Sequence, residues 1–329
     1  MLLITYGTRP EYIKILPVIN EMKKRQMPYK TFFTGQHTDL LKKAEKPDHI
    51  LSIEDGPNRL DSIVQSILNK EEIFDDITCV MVQGDTSSAF ATALAAFHRK
   101  IPVAHLEAGL RTYDKYSPYP EEFNRCAISA LAEMHLCPTK VSASNLKKEG
   151  RTGVHIVGNT VLDNLNDVKT TTSNTVMVTL HRREKLDEIG DWFKEVNKLA
   201  KKHKDLDFVL PIHPNPEVKK HASILTNVKV IDPLGHAEFI EYLSSCAFII
   251  TDSGGVQEEA AFLKKPCIVC RDFTERVEGL HSFSVLCKEP KYLSNLVSNW
   301  ALKIDLSDKI CPYGDGKASQ YICDLLKNI

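Results

Sequence analysis

No apolar run in the chain reaches about 18 residues, so nothing in it reads as a membrane-spanning helix. The opening stretch MLLITYGTRP has too short an apolar core for a secretory leader. A net charge of -1 excludes a broadly basic binder of nucleic acid or other polyanions, so any positive field must be local. Nine cysteines in 329 residues are too sparse for a disulfide scaffold, and most lie in apolar runs where buried thiols are common. Cys267 and Cys270 have CxxC spacing, but no second CxxC completes a zinc site and the run around them reads as a core strand. No GxGxxG follows the first strand-like run, and no Lys follows Gly254-Gly255, so dinucleotide and P-loop fingerprints are both missing. Internal repeats and low-complexity segments are absent too. These absences predict a cytoplasmic protein with neither membrane nor nucleic-acid partners.

What is present is an ordinary globular composition, 43% hydrophobic and 26% charged, which supplies material for two cores. Apolar runs of strand length alternate with helix-period stretches. Strands are expected at Leu2–Thr5, Lys30–Thr34, Cys79–Gln83, Val103–Leu106, His135–Pro138 and His155–Val157. A second series runs through Val176–Leu180, Phe208–Pro211, Val228–Ile231, Phe248–Thr251 and Cys267–Cys270. Helical periodicity marks Ile13–Arg25, Ser87–His98 and Arg125–Ala132. Such alternation predicts an α/β protein of two doubly wound domains with parallel sheets. The polar stretch NDVKTTTSNT, residues 166–175, is the natural linker.

Ligands of doubly wound sheets bind at the carboxyl ends of strands, so residues there are the candidates. Arg9 and Lys14 follow the first strand, Asp85 the third, and Glu107 and Arg111 the fourth. The Pro- and Tyr-rich YSPYPEEFNR leads into a helix at Glu121 and Glu122. In the second series His181, Arg182 and Arg183 follow one strand, His213 another, and Arg276 the last. TDSGGVQEEA reads as strand end, glycine turn and helix start, a junction whose free N–H groups favour an anion. Each residue also has a plain structural reading. Glu121, Glu122, Glu258 and Glu259 suit a helix N-terminus, Asp85 an N-cap, His213 a satisfied loop histidine, and Arg182 and Arg183 solvated charge. Their coincidence points further: acids at strand ends of one domain and an anion cradle in the other suit acid/base chemistry on a nucleotide-linked substrate.

The segments GTRPEYIK, QGDTSSAFA, HLEAGLRT, SPYPEEFNR, VGNTVLD, HRRE, TDSGGVQEEA, RDFTER and PYGDGKAS occur in an order that resembles the non-hydrolysing UDP-N-acetylglucosamine 2-epimerases from end to end. The resemblance implies the glycosyltransferase-B fold, two Rossmann-like domains facing across a cleft. Residues 1–168 would carry the catalytic carboxylates and 169–311 the UDP site, with a C-terminal helix in 312–329 returning to the first domain. It implies that Ser253, Gly254 and Gly255 hold the UDP diphosphate and that Glu259 takes the ribose hydroxyls. Arg9, His181 and Arg276 would contact phosphate or sugar, with Lys14 supporting them. Uracil would be read near Leu234 and Phe239, and the family is commonly dimeric.

The C2 proton of an N-acetylhexosamine is barely acidic, so its removal must be coupled to loss of UDP from C1. The resulting 2-acetamidoglucal is held until UDP returns and a proton reaches the other face of C2. Asp85, Glu107 and Glu121 match the family's acid set, and His181 completes the catalytic group. The scheme requires no metal and no nicotinamide cofactor. After GQH the chain is shorter than in bacterial members, and Leu60 follows Arg59 where the family has Gln, a region that in those members helps form an activator site. Gln36 and His37 remain. Alternatives are a hydrolysing epimerase, an epimerase of a modified UDP-sugar, a glycosyltransferase of the same fold and a non-catalytic nucleotide-sugar binder.

Overall fold

Strands of a parallel sheet are covered by helices on both faces and therefore read as near-continuous apolar runs. The computed structural model, which describes residues 1–36, 45–53, 56–181 and 183–327, has that arrangement twice. One compact unit comprises Met1–Asn164 with Gly314–Ile329, and the other comprises Leu165–Tyr313.

In the first unit the strands are β1 (Leu2–Tyr6), β2 (Tyr29–Phe33), β3 (His49–Ile50), β4 (Cys79–Gln83), β5 (Val103–Leu106), β6 (Met134–Cys137) and β7 (Val154–Ile156). They form one parallel sheet in the order β3-β2-β1-β4-β5-β6-β7. Its helices are α1 (Arg9–Lys24), α2 (Arg59–Leu68), α3 (Ser87–His98), α4 (Glu121–Leu131), α5 (Lys140–Lys148) and, from the end of the chain, a helix over Ala318–Leu326. Alternate β1 residues feed opposite faces. Leu2, Ile4 and Tyr6 pack with Ile15, Val18, Ile19 and Met22 of α1, whose spacing is one helical stripe. Leu3 packs instead with Ile63 and Ile67 of α2 and the alanines of α3.

The C-terminal helix joins the α1 face through Ile322, Cys323 and Leu326. Its start has no capping side chain of its own; the Asp163 carboxylate accepts from the N–H groups of Ala318 (3.1 Å) and Ser319 (2.7 Å). Arg25, just past α1, pairs with Asp324 at 2.6 Å.

In the second unit β8 (Thr175–Thr179), β9 (Asp207–Pro211), β10 (Lys229–Ile231), β11 (Phe248–Thr251), β12 (Cys267–Val269) and β13 (Ser284–Leu286) form a parallel sheet ordered β10-β9-β8-β11-β12-β13. Helices α6 (Ile189–Lys202), α7 (Pro216–Lys219), α8 (His236–Ser245), α9 (Gly254–Phe262) and α10 (Leu293–Leu296) accompany it; the C-terminal helix is α11. Trp192, Phe193 and Val196 of α6 fill the core on one face. The buried lysine Lys265 ties down the polar stretch by donating to Thr171 O, and Thr171 and Ser173 donate to Ser244 O and Ser245 O.

All strands expected from sequence form, within one residue at each end, and the CxxC run is the core strand β12. Burial pushes the Cys267 thiol well above its ordinary range. Among the described residues two strands went unread, β3 and β13. β3 has two residues, and β13 lies in HSFSVLC, a stretch with no turn signal to delimit it.

Candidate active site

In each sheet the strand order reverses direction once, at β1/β4 in the first unit and at β8/β11 in the second. Such switch points open crevices at the carboxyl ends of the strands. Arg9 and Asp85 follow the two strands that flank the first switch point, and His181 and Ser253 follow those that flank the second.

At the first, β1 runs through Gly7 into Thr8, the N-cap of α1. Glu11 completes a capping box, accepting from the N–H groups of Gly7 (2.9 Å) and Thr8 (2.7 Å) and from Thr86 Oγ1 (2.6 Å). Burial pushes the Glu11 carboxyl above its usual value, against those donors. A Cβ at position 7 would lie 2.3 Å from Thr34 Oγ1 and 2.7 Å from Ser88 Oγ, so any other residue there would force those side chains to move. Arg9 stands exposed as the first residue of α1. Lys14, a turn further on, donates to both oxygens of Glu107 at 2.6 Å, and Gln83 Nε2 donates to Glu107 Oε2 at 2.5 Å. Glu107 itself has φ 63°, in the left-handed region that a β-carbon disfavours, a strain found at functional turns.

After β4, Gly84 turns the chain at φ 69° and presents Asp85. Asp85 is not the N-cap that its position suggests; Thr86 caps α3, accepting from Ala89 N at 3.0 Å. The Asp85 carboxylate takes two bonds from Arg125, Nε at 2.8 Å and Nη2 at 2.6 Å, both to Oδ2. Glu121 opens α4, and its Oε2 is buried with no hydrogen-bond partner among the described residues. A buried acceptor left so is uncommon and asks for an explanation. Arg111 is not among these groups. It is buried in a two-pronged pair with Glu149, at 2.8 Å on each prong.

At the second switch point His181 follows β8. Its backbone N–H donates to Asp252 Oδ2 at 2.6 Å, and its ring Nδ1 lies 3.4 Å from Asp252 Oδ1. The His213 ring stacks on it, centroids 5.0 Å apart at 7°. Burial, and then His181 itself, hold His213 below the ordinary imidazole range. Arg182, the side chain of Arg183 and all of His37 lie outside the described residues.

Beyond β11, Ser253 is the N-cap of α9 and uses no side-chain bond to cap it, so the N–H groups of the first turn have no side-chain acceptor at the cap. Arg276 lies over this helix start: a Cβ on Gly254 would come within 3.3 Å of its guanidinium, whereas one on Gly255 would meet nothing. Arg276 is held by Glu258 (Nε to Oε1, 3.1 Å) and by Glu275. Its carbonyl accepts from the buried Tyr313 hydroxyl (3.0 Å), which in turn accepts from Gly279 N (3.0 Å). Glu259 Oε1 meets His236 Nε2 at 2.9 Å, and Leu234 and Phe239 are half-buried around the start of α8.

Sequence reasoning missed Glu11, Gln83, Asn124, Arg125 and Asp252 as parts of the site and left Glu122 a plain helix-start acid. Glu11 was within reach, because Thr8-x-x-Glu11 before an apolar run is a capping-box pattern. Arg125 gives no such signal, since its partner Asp85 is 40 positions away.

The paired parallel-sheet units are those of the glycosyltransferase-B fold. The chain belongs to the UDP-N-acetylglucosamine 2-epimerase family, whose model matches residues 20–327. The UDP-N-acetylglucosamine 2-epimerase of Campylobacter jejuni is 37% identical over 378 aligned positions, covering 99% of this chain and 97% of its own. The aligned positions outnumber the 329 residues here, so that relative carries segments this chain lacks. The crystal structure of UDP-GlcNAc 2-epimerase from Neisseria meningitidis bound to UDP-GlcNAc matches with a TM-score of 0.86 at 34% identity, covering 100% of both chains. The Methanocaldococcus jannaschii UDP-GlcNAc 2-epimerase matches at 0.81 and 30%, covering 100% of this chain and 99% of that one.

Proposed function

We propose that the protein interconverts UDP-N-acetylglucosamine and UDP-N-acetylmannosamine without net hydrolysis, acting as an isomerase in the synthesis of surface polysaccharide precursors. A base removes the C2 proton, the C–H pair becomes the C1=C2 bond, and the C1–O bond breaks with its electrons leaving on UDP. UDP then adds back to C1 while a proton is delivered to the opposite face of C2. Family membership supports this reading, and one observation carries the roles: the three acids of the first unit have three different sets of partners. Glu107, gripped by Lys14 and Gln83, suits orientation of the sugar and stabilisation of positive character. Among the described residues Asp85 is held through one oxygen, and Glu121 has a buried oxygen with no partner. These two are suited to carry protons for the two faces.

In the second unit the α9 N-terminus, with Ser253, Gly254, Gly255 and Arg276, would hold the diphosphate and stabilise it as it departs. His181, oriented by Asp252, would act on the same oxygens, joined by Arg9. Glu259 would take the ribose, and Leu234 and Phe239 the uracil. The enzyme would work in the cytoplasm as a homodimer, an assembly state that light scattering on the purified protein checks.

The test is proton NMR with UDP-N-acetylglucosamine in D2O. A lasting mixture of the two UDP-sugars deuterated at C2 is the expected result. Free N-acetylmannosamine with stoichiometric UDP would move the protein to the hydrolysing class, and an unchanged spectrum would refute the substrate.

A further inference from the structure

We infer that Asn124 and Arg125 of α4 are positioning residues that fix Asp85 relative to Glu121; the inference rests on the epimerase chemistry just proposed. Asp85 sits on a glycine turn, and nothing in that turn holds its carboxylate. Its hold comes from α4. Asn124 Nδ2 donates to the Asp85 carbonyl at 2.8 Å, and Arg125 sends both Nε and Nη2 to Oδ2. No donor among the described residues meets Oδ1, so the Arg125 fork decides which oxygen faces the reaction.

The guanidinium is itself held in place. Its Nη1 donates to Glu122 Oε2 at 3.0 Å, and Glu122, only 1% exposed, accepts from the N–H groups of Thr112 (2.9 Å) and Tyr113 (3.0 Å) through its other oxygen. Glu122 is thus a bracket between α4 and the segment that follows Glu107. It is more than a charge placed to please the helix dipole.

Glu121, Asn124 and Arg125 lie within one turn of one helix. The two proton carriers are therefore mounted on a common rigid piece, one directly and one through three hydrogen bonds. Epimerisation needs this. Protons leave one face of C2 and arrive on the other, so the spacing of the two groups must match the thickness of the sugar. A displacement of about 1 Å at such a site costs on the order of a hundredfold in rate.

A buried ion pair that merely stabilises α4 makes a different prediction, and isotope partitioning separates the two. In D2O, deuterium wash-in at C2 of unconverted UDP-N-acetylglucosamine is compared with formation of UDP-N-acetylmannosamine. Arg125→Lys keeps the buried cation but loses the fork, and kcat is expected to fall about a hundredfold with KM and UDP affinity within about twofold. The ratio of wash-in to conversion should change several-fold, because only one of the two proton transfers is displaced. Asn124→Ala, a milder lesion that keeps the measurement available if the lysine variant folds poorly, should shift the ratio the same way. Rates that fall only in proportion to folded protein, at the wild-type ratio, overturn the inference, as do variants indistinguishable from wild type. Wild-type protein that shows neither exchange nor conversion refutes the epimerase chemistry instead.

Discussion

Replacing His135 by Leu should make the first unit less sensitive to acid. His135 sits on β6, 1% exposed and paired in register with His105 of β5, which is wholly buried. Burial first, then the cations Arg151 and Arg111 and the neighbouring His155, push His135 down to about 4, with Glu149 pulling the other way. Burial likewise pushes His105 down to about 3, although its Nε2 makes a 2.7 Å bond with Gly84 O. Both are neutral in the folded chain at pH 5, whereas in the unfolded chain they are protonated below about 6.5. A depressed folded value means that stability is fully present above the unfolded value and is lost as pH falls. From these values each histidine costs about 2 kcal/mol between pH 7.5 and pH 5. Glu11 and Asp163, raised by burial, act in the opposite direction, so the wild-type total understates the histidine contribution. The difference between wild type and variant isolates His135. Both tryptophans, Trp192 and Trp300, belong to the second unit, so their fluorescence is blind to this change. Urea-dependent hydrogen exchange of the β5 and β6 amides at the two pH values is the assay. His135→Leu should shrink the pH-dependent loss by about 2 kcal/mol. A variant that loses as much stability as wild type would show that His135 is not buried neutral.

Other changes probe the site and its supports. Asp85→Asn and Glu121→Gln should abolish turnover with UDP affinity, read by calorimetry, nearly unchanged; a parallel loss of UDP binding would sink their assignment as proton carriers. Ser253→Ala and Arg276→Ala should instead weaken UDP binding, and unchanged calorimetric affinity would count against the α9 cradle. Tyr313→Phe strands the Arg276 carbonyl and Gly279 N–H inside the second unit. It should cost about 1–3 kcal/mol in denaturant titrations followed by tryptophan fluorescence, with weaker UDP binding as the Arg276 loop loosens. Gly109→Ala places a Cβ 2.3 Å from the Ser142 carbonyl at a φ of 90°, so it should lower the melting temperature and the activity together. A variant that melts like wild type would mean that the backbone there yields.

Much of the fold was legible because its signals are local. An apolar run long enough to be a strand and bounded by a turn declares itself, as Cys79–Gln83 and Phe248–Thr251 do, and alternation with helices implies the parallel sheets. β13 escaped because three residues, the first of them Ser284, are too few to show a period. Candidate site residues were legible for a related reason: the carboxyl end of a strand is marked in the sequence, and a polar residue just beyond it is conspicuous. What joins those residues was not. Lys14 reaches Glu107 across 93 positions and Arg125 reaches Asp85 across 40, contacts that exist only once β1, β4 and β5 lie side by side.

That distinction bears on how the site works. Three carboxylates, two just beyond the carboxyl ends of the interior strands β4 and β5 and one at the start of α4, would repel one another if each stood alone and close by, and each is treated differently. A lysine and an amide hold Glu107, an arginine fork takes one oxygen of Asp85, and Glu121 is left with a buried oxygen that meets no donor among the described residues. Environments that differ so sharply are how one fold assigns unlike duties to like groups. The sequence supplies the acids by type and place, but their partners, Lys14 of α1, Gln83 of β4 and Arg125 of α4, make them unequal. Exchanging a partner should therefore disturb the division of labour more than it disturbs binding.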